Sequence, residues 1–480
     1  MLSRQQQAAR RSERAPAHRQ RPTVAILGAG ASGMLVATHL LAAATAGGTE
    51  LRAVLIDRNE RTGGAAYAAA DPAHRLNVTA ARMSAFVDDP DHFVRWRGER
   101  HGVCDPGAYA PRVDYREYLA DVLSEAQSQA APNVRLARLV AEVRAVRQHR
   151  DQMRLELADG GSLEADAVVL APGNLPAVAP ASAQAVRHHP RFVRDPWELG
   201  ALDRFEDRGG GVALLVGTGL TMVDVALTLA ARDPQLRLHA VSRSGLLPRA
   251  HLAGRVGPCP QAAPLAGDAS LPQIVDEVLA DSRSGGTRWH ELVDGVRAHT
   301  PELWQRLSLE QRAEFIATRH RRWSVHRHRM APEVAQRLEA LLASGQLTVA
   351  GASPVLAPGS GSRLQVELDR GESFNAAFVV NCTGPGVDPR TAGAPLVHQL
   401  LESGQVRAHS LGLGFDTAAG GTFRSRDGAL HPRLFTLGPT RFGELYETTA
   451  MPEICAQATA LAATLAAVPE TGELAARLSA

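Results

Sequence analysis

Apolar and polar positions along the chain predict two strand–turn–helix units about 190 residues apart. The first, TVAILGAGASGMLVATHLLAAAT from Thr23, opens with an unbroken apolar run, the pattern of a parallel strand buried on both faces. A glycine turn and an apolar helix follow, and LRAVLIDRN at 51–59 supplies a second strand, completing a βαβ unit. Residues 112–130 read as a helix, with Tyr115, Tyr118, Leu119 and Val122 at helical spacing. Two strand-like runs lie near 134–147 and 152–157, and ADAVVLAPGN at 165–174 is a buried strand ending in a glycine turn. The pattern then restarts. VALLVGTGLTMVDVALTLAAR at 212–232 is again strand, turn and helix, and LRLHAVSRSG at 236–245 is its second strand. Residues 268–345 are mostly helical by periodicity, AAFVVNCTGPG at 376–386 ends like the earlier glycine strand, and LFTLGPT at 434–440 precedes a helix over 451–467.

These elements imply an α/β fold of two Rossmann-like dinucleotide-binding domains with a mostly helical insertion. The expected division gives 22–200 and 376–480 to the first domain, and 201–267 and 346–375 to the second. Residues 268–345 form the insertion, a suitable place for a substrate cap, and 1–21 a disordered basic tail.

Composition narrows the chemistry. A chain of 480 residues exceeds one ordinary core. The 52 basic residues are all arginine, which excludes lysine Schiff-base chemistry and a P-loop GK[ST] motif, and reads as the codon bias of a high-GC bacterial genome. The net charge of +2 divides into +5 over residues 1–21 and −3 over the rest, so the body offers no basic nucleic-acid surface. No run reaches the ~18 apolar residues of a membrane helix, and the N-terminus lacks an apolar signal core. Cys104, Cys259, Cys382 and Cys455 are scattered, without metal-ligand or dithiol spacing. A cytoplasmic protein without a metal is expected.

Gly28-Ala29-Gly30-Ala31-Ser32-Gly33 is a GxGxxG turn between strand and helix. Gly28 permits the tight turn, Gly30 lets a pyrophosphate approach the backbone, and Gly33 allows helix–strand packing. Asp57 ends the second strand where an acid can bond ribose hydroxyls, and Gly63-Gly64 follows, free of side-chain clash. The second turn, Gly217-Thr218-Gly219 with Leu220 and Thr221, is GxG only, yet it too places backbone N–H groups at a helix start. Its second strand ends in Ser242-Arg243; an arginine there suits a 2′-phosphate, so NADPH is expected over NADH. The competing reading is a vestigial fold with a surface arginine.

GAGASG, LIDRNERTGGAAY, HRLNVTAARMSAFVDDPDHFVRW, VGTGLTMVDVALTL, RRWSVHRHRMAP and LGPTRFGELYETTAMPEICAQA together resemble the bacterial FAD/NAD(P)-binding proteins of the NAD_binding_9 type, over about residues 23–467. More distantly, the layout is similar to flavin-dependent N-hydroxylating monooxygenases. The resemblance implies FAD at the first site, held by Gly28, Gly30, Ala31, Ser32, Gly33, Asp57, Arg58, Gly64, Tyr67 and Asn77, with Val143 and Gly173 beside them. Asn77 is the candidate catalytic residue, since in flavin monooxygenases a similarly placed asparagine lies beside the isoalloxazine; a turn-capping asparagine is the other reading. Gly438, Thr449 and Met451 form the other flavin contact, where a helix start favours the anionic reduced ring. Many flavoproteins carry Gly-Asp near here, and this chain has Gly438-Pro439.

Arg322 and Arg329, with His326 between them, fall on one helical face at i, i+7 and i+4, and are candidates to bind an anionic small-molecule substrate; a solvated face is the alternative. The implied function is FAD- and NADPH-dependent oxidation, with O2 as co-substrate and an amine or amino-acid nitrogen as target. The FxGxxxHxxxW signature of typical class B flavin monooxygenases is absent. A dehydrogenase without oxygenation and a non-catalytic flavin sensor stay open, as does a homodimer.

Overall fold

The computed structural model describes residues 21–67, 71, 73–103, 105–198, 200–203, 210–252, 269–359, 361 and 363–467. The expected tail disorder falls outside them except at Arg21, as do Cys104 and Cys259. Strand β1 (Thr23–Leu27) is buried at every position, as its unbroken apolar run requires. It pairs in parallel with β2 (Leu51–Asp57) and β7 (Ala167–Leu170), Ile26 facing Leu55 and Val169. β3 (Val134–Val140) extends the sheet beyond β2, while β17 (Leu430–Thr436) and β16 (Thr422–Arg424) extend it beyond β7. Helix α1 (Ala31–Ala46) is buried along most of its length, and its small side chains admit the last helix, α3 (Met451–Ala466), into the same core.

A second sheet repeats this plan with different residues. β9 (Gly211–Val216) leads into helix α2 (Leu220–Arg232) and lies between β10 (Leu236–Ser242) and β15 (Phe378–Asn381), with Leu214 facing His239 and Val379. β11 (Leu347–Gly351) and the two-residue β8 (Phe192–Val193) form its edges. Each domain also carries a three-stranded antiparallel meander, β4–β6 (residues 143–165) and β12–β14 (residues 354–376). The insertion is helical from Leu271 to Ala343 and has its own core, around Trp289, Trp304, Phe315 and Trp323.

Two boundaries differ from the sequence reading. The apolar pattern puts β15 in the first domain, but its backbone pairs with β9 and β8, so the second domain runs through Asn381 and takes in Phe192–Val193. The chain returns to the first domain where Leu175 and Gly386 pair, and helix Pro395–Glu402 docks on the first meander, with the Val146 N–H donating to Gln399 Oε1 at 2.8 Å. The run near 134–147 is two strands in two sheets. The Ala141 N–H donates to the Asp57 carbonyl at 2.9 Å, and the chain turns there.

Glycine is obligatory where each turn presses on a neighbouring strand. A Cβ on Gly28 would lie 2.3 Å from the Ala171 carbonyl oxygen, and one on Gly217 would lie 2.3 Å from that of Cys382. Both sit at positive φ, +115° and +118°. A Cβ on Gly33 would lie 1.8 Å from the Gly28 oxygen. Because the obstruction is backbone, no rotamer relieves it, and Gly33→Ala is expected to cost about 1–3 kcal/mol of stability. Denaturant unfolding checks this, and an unchanged midpoint would contradict it.

Candidate functional site

The first glycine turn ends in an open helix start. The Gly28 N–H donates to the Ile56 carbonyl at 2.7 Å, and Gly30 begins α1 without a side-chain cap. Asp57 is fixed by two backbone donors, the N–H of Ala29 at 2.8 Å and that of Asn59 at 2.8 Å. The Gly63 N–H donates to the Ala29 carbonyl at 3.0 Å, bringing the glycine pair across the turn. A Cβ on Gly30 would meet only Gly64, its Cα at 3.6 Å and its N at 3.9 Å. This groove between two side-chain-free segments, over uncapped N–H groups, fits the pyrophosphate of a dinucleotide.

Other candidates border the turn. Arg58 is exposed, Gly173 (φ +64°) faces open space, and Val143 lies two residues past the Ala141 bond to Asp57. Tyr67 packs on Tyr115 with ring centroids 5.1 Å apart, and burial raises its hydroxyl to about 12. Gly438 (φ +74°) brings the last strand against α1, since a Cβ there would lie 3.3 Å from Ser32 Oγ. Gln457 and Thr448 lock that corner, accepting from the Gly438 N–H at 2.9 Å and donating to its carbonyl at 2.9 Å. Thr448 is therefore the anchor and Thr449 is exposed, while Met451 starts α3 without a side-chain cap.

The second turn reproduces the first. The Gly217 N–H donates to the Val241 carbonyl at 2.7 Å, and Gly219 begins α2 uncapped. A Cβ on Gly219 would meet nothing within 4 Å, so the space over this helix start is open. Where the first domain has Asp57, this one has Ser242, whose hydroxyl is 2.8 Å from Thr218 Oγ1. Arg243 is exposed and unpaired among the described residues, close enough to Arg321 that, after burial, its charge is the next cause lowering the Arg321 guanidinium. These two arginines form a basic spot beside the turn.

Arg322 and Arg329 do not share a helical face. The helix ends at Arg327, and Ala250 and Met330 form a parallel bridge beyond it. Arg322 is exposed on a cavity of about 620 Å³ with Arg249 and Arg283. Arg329 turns inward to a separate cavity of about 40 Å³, lined also by Asn77, Thr79, Arg82, Tyr109, His251, Asp294, Arg297 and Arg327. First domain, second domain and insertion all contribute to that cavity.

Its walls hold a layer of buried charge. Arg327 makes two bonds to Glu447, 2.7 and 2.5 Å, with side chains only 8% and 4% exposed. Burial opposes both charges, yet Arg327 holds Glu447 below the ordinary glutamate range. Arg297 binds Glu453 at 2.6 and 2.7 Å, and Arg329 binds Asp294 and His290. His251 Nε2 lies 3.0 Å from the Asn77 carbonyl, which only accepts, so Nε2 carries the proton. Arg82, Asp294, Arg297 and Glu453 carried no helical or strand periodicity that marked them as site residues. Asn77 does line the cavity, its backbone held by His251.

Comparisons with known proteins agree with this layout. Fold and paired turns define a two-dinucleotide-domain protein. Residues 25–175 match the model of the FAD-NAD(P)-binding family. No curated protein matches the sequence. Among solved structures, the reduced form of ornithine hydroxylase from Pseudomonas aeruginosa is similar at 14% identity, covering 93% of this chain and 98% of that one, with TM-score 0.65. The cadaverine monooxygenase of desferrioxamine biosynthesis from Erwinia amylovora, bound to FAD, is similar at 14% identity over 91% and 92% of the chains, TM-score 0.61. The ornithine N-hydroxylase of Kutzneria sp. 744, with reduced FAD, NADP+ and L-ornithine, is similar at 17% identity over 93% and 99%, TM-score 0.59. Among the described residues no helix is long and apolar enough to cross a membrane, and no cluster could hold a metal ion.

Two outcomes follow from the buried charges. Glu447→Gln leaves Arg327 buried without its counter-charge and is expected to cost about 3–5 kcal/mol, read by denaturant unfolding; a loss below about 1 kcal/mol would contradict it. Burial lowers His251 to about 3 and His320 and His328 to about 4. Their unfolded forms take up protons below about pH 6.5 while the folded forms do not, so stability is present above that pH and falls on acidification. Each contributes a slope of up to about 1.4 kcal/mol per pH unit between about 6.5 and 4. Unfolding midpoints measured from pH 7 to 5 test this, and a flat profile would contradict it.

Proposed function

We propose that the protein is an FAD-dependent, NADPH-using monooxygenase that acts on a nitrogen of a small amine or amino acid. The observation that carries this reading is the shared cavity. Asn77 from the first domain, His251 from the second and Asp294, Arg297 and Arg329 from the insertion enclose one small space. A site where flavin-side loop, nicotinamide-side domain and cap meet is what coupled hydride and oxygen transfer needs. The fold shared with ornithine and cadaverine hydroxylases supports it.

Gly28, Gly30, Gly33 and Gly63-Gly64 would hold the FAD pyrophosphate, with Asp57 on the ribose and the start of α3 near the ring. Gly217 and Gly219 would hold the second dinucleotide, with Arg243 and Arg321 on its 2′-phosphate. FAD, if bound there, would supply the redox chemistry that activates O2 toward an electron-rich atom, with NADPH as the electron source. Asn77 lines the cavity, and an amide there would donate to a developing negative charge or accept from a substrate N–H. The insertion walls the cavity with His290, which stacks on Trp289, and with Arg297, Arg327 and Arg329, each paired with a carboxylate, which favours exclusion of water.

Purified protein is expected to be yellow and to form a hydroxylamine from cadaverine, L-ornithine, L-lysine or L-aspartate with NADPH and O2. Protein that stays colourless with added FAD would contradict the reading. NADPH is expected to be preferred to NADH, and Arg243→Ala should reduce NADPH affinity about 10- to 100-fold while sparing NADH, since a charged hydrogen bond contributes roughly 1.5–3 kcal/mol. Initial rates with both nucleotides decide this, and equal use by the unmodified enzyme would refute the phosphate contact.

A further inference from the structure

We propose that Arg112 and His74 of the first domain and Asp224 and Thr228 of the second are positioning residues. Together they clasp helix α2 at the angle that brings a nicotinamide ring to the flavin. The proposal rests on the monooxygenase reading above and adds the residues that couple its two halves. Arg112 Nη2 donates to Asp224 Oδ2 at 2.6 Å, with side chains 16% and 10% exposed. One helical turn further, His74 Nε2 lies 2.8 Å from Thr228 Oγ1, and both residues are buried. Asp224 and Thr228 stand at i and i+4 on α2, so both bonds grip one face of that helix. Trp197, between β8 and β9, closes the contact. Its ring centroid lies 5.5 Å from the Arg112 guanidinium carbon and 5.8 Å from that of the His74 ring.

The clasp sits where it can set both distance and angle. Asp224 is five residues past Gly219, about 7–8 Å along the axis from the uncapped helix start. On the other side, Arg112 is tied to the segment that carries Asn77. Its N–H donates to the His74 carbonyl at 3.0 Å, and its Nε to the Arg75 carbonyl at 3.1 Å. One guanidinium thus links the Asn77 segment to α2.

The connecting chain does not fix this relation by itself. It crosses between the domains twice, and the crossings meet where Leu175 pairs with Gly386, a hinge about which one domain can turn on the other. A buried ion pair adds little stability over apolar side chains of the same shape, but its geometry is specific, which suits it to holding an orientation. Burial lowers the His74 imidazole, so at neutral pH it adds a directional bond and no charge. Hydride transfer requires reacting atoms about 3–3.5 Å apart, and a misplacement of about 1 Å costs on the order of 100-fold in rate.

The test is anaerobic reduction of FAD-loaded protein by saturating NADPH, followed by stopped-flow absorbance. Asp224→Asn keeps the shape and removes the charge. It should lower the limiting rate of flavin reduction about 10- to 100-fold, with flavin content and calorimetric NADP+ affinity unchanged. Arg112→Gln should match it, and Arg112→Lys, which restores the charge, should recover part of the rate. Thr228→Val removes one hydroxyl from the same face and should lower the rate about 2- to 10-fold; it decides the matter if the charge variants fail to fold. In flavin-loaded Asp224→Asn without nucleotide, the amides of residues 74–80 should exchange with deuterium faster, because the clasp no longer holds them against α2. A role in stability alone would move the unfolding midpoint and leave the limiting rate as it is, and that result would overturn the proposal. Unaltered amide exchange would overturn it as well. So would lost NADP+ affinity, or a rate loss that more NADPH restores, since either makes these nucleotide-binding residues. Flavin missing from the unmodified protein, or not reduced there by NADPH, would overturn the monooxygenase reading and the coupling with it; normal reduction in every variant would overturn the clasp alone.

Discussion

Two backbone carbonyl oxygens, of Ala171 and Cys382, leave no space for a side chain at Gly28 and Gly217. That exclusion fixes the rest. With the first glycine pressed on a neighbouring strand at positive φ, each chain segment bends directly into a helix whose N-terminus points off the end of its sheet. Uncapped N–H groups then face the position where a phosphate is most stabilised, and the helix dipole adds to the attraction. The same constraint acts in two domains of unrelated surrounding sequence, which is why both retain the turn although only the first retains the full glycine fingerprint.

The two domains diverge after the turn. In the first, Asp57 is held by the N–H groups of Ala29 and Asn59, and a carboxylate there favours ribose hydroxyls. In the second, Ser242 occupies the corresponding strand end and leaves Arg243 and Arg321 without an acidic partner among the described residues. The first half thus presents a carboxylate at that strand end and the second a hydroxyl beside two guanidinium groups, the charge difference on which the proposed preference for NADPH rests. The insertion then lines the cavity between them with Arg297, Arg327 and Arg329, each paired with a carboxylate.

Local pattern made the turns, strands and helices legible, because a strand buried on both faces and a GxGxxG turn are properties of contiguous residues. The register of β15 was not legible: VVNCTG is apolar enough for either sheet, and only pairing with β9 decides its domain. The face shared by Arg322 and Arg329 failed for a related reason. Periodicity assumes that the helix continues, and it stops at Arg327, sending Arg329 inward. Arg82 was hidden because the fold alone brings it to one cavity with Asp294, Arg297, Arg327 and Arg329, which lie more than 200 positions further along the chain. Asn77 came from a motif resemblance, and its place on the cavity wall is a matter of geometry that no spacing encodes.

The most direct measurement is titration of the FAD-loaded protein with NADP+ by calorimetry, following bound flavin in the same sample. One NADP+ per chain should bind while the flavin stays in place, because the two glycine turns are separate sites with different ribose partners. Displacement of flavin by NADP+, or no binding of NADP+ to flavin-loaded protein, would contradict a chain built from two distinct dinucleotide sites.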